Sequence, residues 1–375
     1  RFVAAVADEW LDNINPATQE VASRIPRSRC EDVERAVAAA KDAAQGIWSR
    51  TTALERAGLL ERAADGIEAR LDELARLESE DTGKPVGLAR LVDIPRAVAN
   101  FRFFAGALRH DHTGCHTMDG AINYTLRKPA GVCALITPWN LPLYLLTWKT
   151  APALAMGNTV VAKPSEMTPR TASVLAEILL EVGFPPGVFN LIHGLGPECG
   201  GPLTAHPDVD LVSFTGGTET GRLVASAAAP QFKKLSLELG GKNATIVFAD
   251  CDFESTAVGA ARAAFLNQGQ VCLCGSRILI ERSIYEPFCE ALVREARKMQ
   301  PGDPADLETK MGALIHLGHR EKIERYVALA KEEGGTLLCG GIRPEFTPPL
   351  DQGAFYQPTV VDGLAIDSRT ATEEI

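Results

Sequence analysis

The chain has 375 residues, 46% of them hydrophobic and 23% charged, with a formal net charge of -10. That length predicts two or three lobes with sizeable cores, and no apolar run approaches the roughly 20 residues needed to span a bilayer. The acidic balance weighs against nucleic acid or an anionic membrane as partner and favours small-molecule chemistry.

Over the first hundred residues, Val33, Ala36, Val37, Ala40, Ala44 and Ile47 recur at helical spacing, and Leu54 to Leu77 continues the pattern. This part is expected to be a helical cover without a catalytic strand layer. The stretch from His110 to Lys128 has no helical period and ends in alternating Ile122, Tyr124 and Leu126, which predicts a projecting hairpin that meets a partner subunit. From Gly131 short apolar runs alternate with helical ones: Val132-Ile136, Thr159-Ala162, Val188-Ile192, Leu211-Phe214, Leu235-Leu239 and Thr245-Phe248. Strands alternating with helices imply a parallel, doubly wound α/β sheet. After Gly240-Gly241 a helix is expected from Phe253 to Asn267, then a strand at Arg277-Glu281 and helices near Glu286-Met299 and His319-Glu333, which together read as a second α/β lobe. Nine cysteines without a framework of spacings suit a reducing compartment, so the cytoplasm is the expected location. The opening at Arg1 leaves a removed targeting segment open, and the stop at Thr372-Glu373-Glu374-Ile375 falls in mid-pattern, as in a piece of a longer chain.

Several segments carry candidate chemistry, each with a plainer alternative. Gly194-Leu195-Gly196-Pro197-Glu198-Cys199-Gly200 has one residue too many for the usual dinucleotide fingerprint. Leu211 to Gly221 is a better phosphate site, because a strand runs through Thr215, Gly216 and Gly217 into a helix whose free N–H groups can meet an anion; an ordinary strand-to-helix turn reads the same. Lys163-Pro164-Ser165-Glu166 closes a predicted strand, where ligands gather in open α/β sheets. A carboxylate there can accept both ribose hydroxyls and repel a 2′-phosphate, favouring NAD over NADP; the alternative is a solvated loop pair. Asn267-Gln268-Gly269-Gln270-Val271-Cys272 presents a cysteine beside glycine, a seat for a nucleophile, although Cys272 is equally a buried apolar residue or, with Cys274, a metal or redox pair. Glu238, before Gly240-Gly241-Lys242, is either a functional carboxylate or a salt-bridge partner. His110-Asp111-His112-Thr113-Gly114-Cys115-His116 packs zinc-type ligands closely, but without a second cluster it reads better as a polar lead-in to the hairpin, so no metal is expected.

Taken together, Pro138-Trp139-Asn140, Lys163-Pro164-Ser165-Glu166, Phe214-Thr215-Gly216, Glu238-Leu239-Gly240-Gly241-Lys242, Gly269-Gln270-Val271-Cys272 and Glu373-Glu374-Ile375 resemble the aldehyde dehydrogenase superfamily in order and spacing, from Asn15-Pro16 to Ile375. The resemblance implies a Rossmann-type parallel-sheet domain that binds NAD (1–106 and 130–240), an oligomerisation hairpin (107–129) and an incomplete catalytic α/β domain (241–375), in a homodimer or homotetramer. It implies that Cys272 attacks the aldehyde as thiolate, that the Asn140 amide and the Cys272 N–H hold the oxyanion, and that Glu238 activates water as general base. Lys149 would join a proton relay. Trp139, Lys163, Ser165, Glu166, Phe214, Thr215, Gly216, Gly217 and Glu374 would contact NAD, with Gly217 standing where many relatives have serine.

A closer resemblance covers Asp93-Ile94-Pro95-Arg96, Asn100 to Phe104, Asn140-Leu141-Pro142-Leu143 and Thr147-Trp148-Lys149, and points to the 2-aminomuconate and 2-hydroxymuconate semialdehyde dehydrogenases. It implies that Arg96 faces the substrate, where a guanidinium grips a remote carboxylate bidentately; a helix-surface salt bridge is the alternative. Betaine-, benzaldehyde- or succinate-semialdehyde-type substrates and an inactive dehydrogenase scaffold are competing expectations. Because the family continues beyond Glu-Glu-Ile, these 375 residues by themselves are expected to be poorly active and poorly assembled.

Overall fold

The computed structural model describes residues 2–375. Its first elements correct the helical reading of the amino-terminal hundred residues: β1 (Trp10–Ile14) and β2 (Val21–Pro26) form a two-stranded sheet ahead of any helix. The turn between them is built by Asn15, whose side-chain oxygen accepts from Ala17 N–H at 2.9 Å, and by Gln19 at φ +62°. Strands this short show too few alternations to register as a period. Helices α1 (Cys30–Gln45), α2 (Ala53–Ala69) and α3 (Leu71–Thr82) follow. At the start of α2 the Thr52 hydroxyl accepts from Glu55 N–H while the Glu55 carboxylate accepts from Thr52 N–H, a reciprocal cap that fixes where the helix begins. A single turn, α4 (Val86–Leu88), leads into the longer α5 (Ile94–Arg109). The segment with three histidines runs out exposed from α5 into the hairpin β3 (Cys115–Met118) and β4 (Ala121–Tyr124), which turns at Gly120 with φ +71°.

The principal sheet comprises β5 (Val132–Ile136), β6 (Thr159–Lys163), β7 (Phe189–Leu191), β8 (Leu211–Gly216) and β9 (Lys234–Leu239), in the order β7-β6-β5-β8-β9. β5 pairs in parallel with both β6 and β8, and β6 with β7. The near-continuous apolar runs of β5 and β6 are buried on both faces, as helix-covered parallel strands require. The helices packed on the sheet are α1, α6 (Pro142–Ala155), α7 (Arg170–Glu181) and α9 (Thr218–Ala228), with the short α8 (Gly201–Ala205) packed on α1 and α9. Because the chain goes from β5 outward to β7 and then returns to place β8 on the other side of β5, the winding reverses between β5 and β8. A crevice opens at the carboxyl ends of strands where this happens.

The remaining elements are β10 (Ala244–Val247), α10 (Phe253–Phe265), β11 (Arg277–Ile280), α11 (Tyr285–Ala296), α12 (Leu317–Glu332), β12 (Thr336–Cys339), β13 (Val360–Asp362) and α13 (Arg369–Thr372). β10 and β11 are parallel neighbours, and α10 and α11 close over them through Phe288, Ala257, Ala260, Ala261 and Leu292. The helix expected to reach Asn267 stops at Phe265, because Asn267 and Gln268 take left-handed backbone angles that no continuing helix allows. By internal contacts the chain divides into two compact units: 1–13, 23–74 and 90–238 form the first, and 14–22, 75–89 and 239–375 the second. No described helix is long and apolar enough to cross a membrane.

Candidate active site

In the first unit, several of the residues singled out from sequence collect where the parallel strands end. Lys163, the last residue of β6, is paired in register with Ile136 at the end of β5. Its ammonium is buried, donating to the Pro164 carbonyl at 3.1 Å and to Glu166 Oε2 at 3.3 Å. A buried cation needs such partners, and Glu166, half-buried, keeps one face toward solvent. Gly200 lies against the lysine stem, where a Cβ would come to 3.6 Å from Lys163 Cδ. Ser165 is buried, its hydroxyl accepting from Met167 N–H at 3.3 Å.

Past the end of β5 come Thr137, Pro138, half-buried Trp139 and half-buried Asn140, whose Oδ1 accepts from Leu141 N–H at 3.0 Å. β8 ends in buried Phe214 and Thr215 and then Gly216 and Gly217. A Cβ on Gly216 would lie 2.5 Å from the tip of the Phe214 ring, so only glycine lets that ring fold back beneath the loop. Gly217 precedes α9 with nothing within 4 Å of where its Cβ would be, leaving the helix amino terminus uncovered.

Lys149 on α6 is 7% exposed and donates to Ser213 Oγ on β8 at 2.8 Å. Burial pushes its ammonium down to about 8, opposed by the negative charge of Glu238. Glu238 itself is exposed near the end of β9, and its carboxylate makes no hydrogen bond among the described residues. Ser213 was not singled out from sequence; an isolated serine in an apolar strand carries no signal until the facing lysine is known.

Arg96, in the first turn of α5, is exposed with its guanidinium 5.7 Å from the centre of the Tyr144 ring on α6. No carboxylate pairs with it among the described residues. The aromatic row continues edge-to-face from Tyr144 to Trp148 at 6.3 Å and from Trp148 to Phe104 at 6.2 Å. Between the two helices, buried Asn100 donates to the Tyr144 carbonyl at 3.2 Å and to Thr147 Oγ1 at 3.0 Å.

The second unit carries Cys272 and Glu374. After α10 the chain makes a tight turn in which Asn267 (φ 55°), Gln268 (φ 57°) and Gly269 (φ 72°) are all left-handed. Two non-glycine residues there cost roughly 1–3 kcal/mol each, a strain that persists only where the surroundings impose it. Cys272, half-buried, follows three residues later, and its carbonyl accepts from Asn243 Nδ2 at 2.6 Å. The neighbouring Cys274 differs: it is buried, its N–H bonds to the Val271 carbonyl at 2.9 Å, and burial holds its thiol above the usual range. Glu374 is exposed, but its carboxylate lies against Gly240, where any Cβ would overlap it. Lys242, nearby, is pushed down to about 8 by burial and then by the charge of Arg277, with Glu374 opposing. Among the described residues no group of three or more His, Cys, Asp or Glu side chains is placed to hold a metal ion.

The model of the aldehyde dehydrogenase family matches residues 2–375. The chain belongs to the aldehyde dehydrogenase family. It is 48% identical over 369 residues to the 2-aminomuconic semialdehyde dehydrogenase of Danio rerio, covering 97% of this chain and 76% of that protein. It is 46% identical over 380 residues to the 2-hydroxymuconic semialdehyde dehydrogenase of Pseudomonas sp. strain CF600, covering 100% and 78%. Among solved structures of aldehyde dehydrogenases, betaine aldehyde dehydrogenase from Staphylococcus aureus in complex with NAD+ superposes with a TM-score of 0.96 at 41% identity, covering 100% of this chain and 74% of that one. The α/β architecture expected from the strand-helix alternation is therefore that of the family.

Proposed function

We propose that this aldehyde dehydrogenase oxidises an aldehyde bearing a remote carboxylate, of the 2-aminomuconate or 2-hydroxymuconate semialdehyde type, to the corresponding acid with NAD as acceptor. The observation that carries the choice of substrate is Arg96: an exposed guanidinium with no acidic partner among the described residues, at one end of an aromatic row formed by Tyr144, Trp148 and Phe104. A flat, conjugated aldehyde acid can stack along such a row while its carboxylate accepts two hydrogen bonds from the arginine. The names of the Danio rerio and Pseudomonas relatives point the same way.

The first unit is suited to a dinucleotide. Glu166 offers a carboxylate for a ribose diol beside buried Lys163, and the uncovered start of α9 at Gly216-Gly217 offers N–H groups to a pyrophosphate. Trp139, Ser165, Phe214 and Thr215 would complete the NAD surface, and Glu374 would hold the second ribose. The negative charge of Glu166 disfavours the 2′-phosphate of NADP. When bound, NAD supplies the acceptor for the hydride that leaves the aldehyde carbon.

Cys272, as thiolate, adds to the aldehyde carbon, and the oxygen that gains charge is met by the Asn140 amide and the Cys272 N–H. Oxidation of this thiohemiacetal leaves a thioester on Cys272. Glu238 then takes a proton from the water that attacks the thioester carbonyl, releasing the acid and restoring the thiol. Lys149, neutral above about pH 8, is the next acceptor for that proton. Because the neutral fraction of Lys149 grows as pH rises through about 8, thioester hydrolysis should rise over the same window; in Lys149→Met this limb should vanish, with kcat at pH 9 down tenfold or more. A parent-like pH profile in that variant would remove Lys149 from the relay.

The substrate assignment is tested by a panel of aldehydes with and without a terminal carboxylate, each with NAD and with NADP, in the parent and in Arg96→Ala. Loss of a charge-assisted pair of about 1.5–3 kcal/mol predicts a fall of roughly 10- to 150-fold in kcat/KM for the carboxylate-bearing aldehydes. The neutral aldehydes should change little. Equal losses in both groups, or a parent that prefers neutral or cationic aldehydes, would defeat the proposal.

A further inference from the structure

The left-handed turn before Cys272 is secured by two side chains that have no part in the chemistry above. Gln268 and Gln270 are both buried and reach the same short segment, Ala313 to Ile315. Gln268 Nε2 donates to the Ala313 carbonyl at 2.9 Å, and Gln270 Oε1 accepts from the Ile315 N–H at 3.0 Å. That segment is itself fixed: Ala313 N–H donates to the Gly83 carbonyl at 2.8 Å and Leu314 N–H to the Ala354 carbonyl at 2.9 Å. Gly83 is left-handed at φ +75°, and a Cβ on Gly312 would collide with the Gly83 carbonyl, so the two backbones meet at a distance that only glycines permit. The anchor is therefore rigid and buried, and the two amides bond to it two residues apart along one segment.

We propose that Gln268 and Gln270 are positioning residues for the Cys272 thiol. Within the turn, Asn267 Nδ2 donates to the Gln270 carbonyl at 3.3 Å and Gln270 N–H to the Asn267 carbonyl at 3.0 Å, and the two glutamine side chains tie this loop to the Ala313–Ile315 segment, holding angles that L-residues avoid. When those ties are cut the turn shifts toward right-handed geometry, and the thiol two residues beyond Gln270 is re-aimed. Misplacement of a reacting atom by about 1 Å can cost on the order of a hundredfold in rate. The inference rests on Cys272 being the nucleophile.

The test uses the full chain and three variants. Gln268→Met and Gln270→Met keep the volume and remove the hydrogen-bonding atom; Gln270→Glu keeps an acceptor for the Ile315 N–H. Pre-steady-state formation of reduced nicotinamide reports acylation, equilibrium titration reports NAD affinity, and labelling of buried Cys274 by a thiol reagent reports loosening of the fold. In the two methionine variants the burst rate should fall tenfold or more, with NAD affinity and aldehyde KM within about twofold of the parent and Cys274 still protected. Gln270→Glu should recover to within about threefold. Parent-like bursts in the methionine variants, a Gln270→Glu variant as slow as Gln270→Met, or Cys274 exposed in the methionine variants would each overturn the inference, the last because the amides would then be holding the fold at large. If Cys272→Ala retained activity, the functional reading itself would fail; if only the glutamine variants behaved as parent, that reading would stand and this inference alone would fall.

Discussion

Cys272→Ala is expected to lower aldehyde oxidation about 10⁴-fold or more, with NAD affinity unchanged. The size follows from covalent catalysis: without a thiolate there is no adduct from which hydride can leave, and no other thiol is equivalently seated. Cys274 is buried and its thiol is held up by that burial, and Cys251 packs against the core between β10 and α10. Lys163 and Glu166 belong to the first unit and the thiol to the second, so binding and chemistry should separate in the measurement. Residual turnover above about one per cent of the parent would rule Cys272 out as the nucleophile.

Glu238→Gln should behave differently, and the difference identifies its step. A carboxylate that serves only hydrolysis leaves acylation intact, so the first turnover should form reduced nicotinamide at the parent rate. Steady-state turnover should then fall by roughly 10²- to 10⁴-fold as the thioester accumulates. Mass spectrometry of the quenched enzyme should find the acyl group on the peptide containing Cys272. The exposed Glu238 carboxylate, with buried Lys149 as its electrostatic neighbour, suits a group that must meet water and then pass a proton on. Loss of the burst together with turnover would place Glu238 in the acylation step or in the structure instead.

Much of the sheet was legible in the sequence because buried parallel strands are nearly uniform in apolarity: Val132 to Ile136 and Thr159 to Lys163 could hardly be anything else once helices were seen between them. The ends of two of those strands followed, since Lys163 closes β6 and Gly216 closes β8. The first hairpin was missed because strands of five and six residues hold too few alternations, and its partly exposed faces blur what little pattern there is. The end of α10 was misplaced for another reason: nothing local in Asn267-Gln268 demands left-handed backbone, and the groups bonded to the turn's amides lie at Ala313 and Ile315, forty-five residues further along. Arg96 illustrates the same limit, as its identity was readable but not its position over Tyr144.

The arginine and its aromatic row sit on α5 and α6, two helices joined through Asn100, whereas the thiol hangs from a separately braced turn in the other unit. On the roles proposed for Arg96 and Cys272, drift in the residues that greet the molecule's tail leaves the reacting sulfur's own scaffold untouched. On that proposal, a lineage of such enzymes exchanges one aldehyde for another by rewriting a few helix positions, with no redesign of the chemical step.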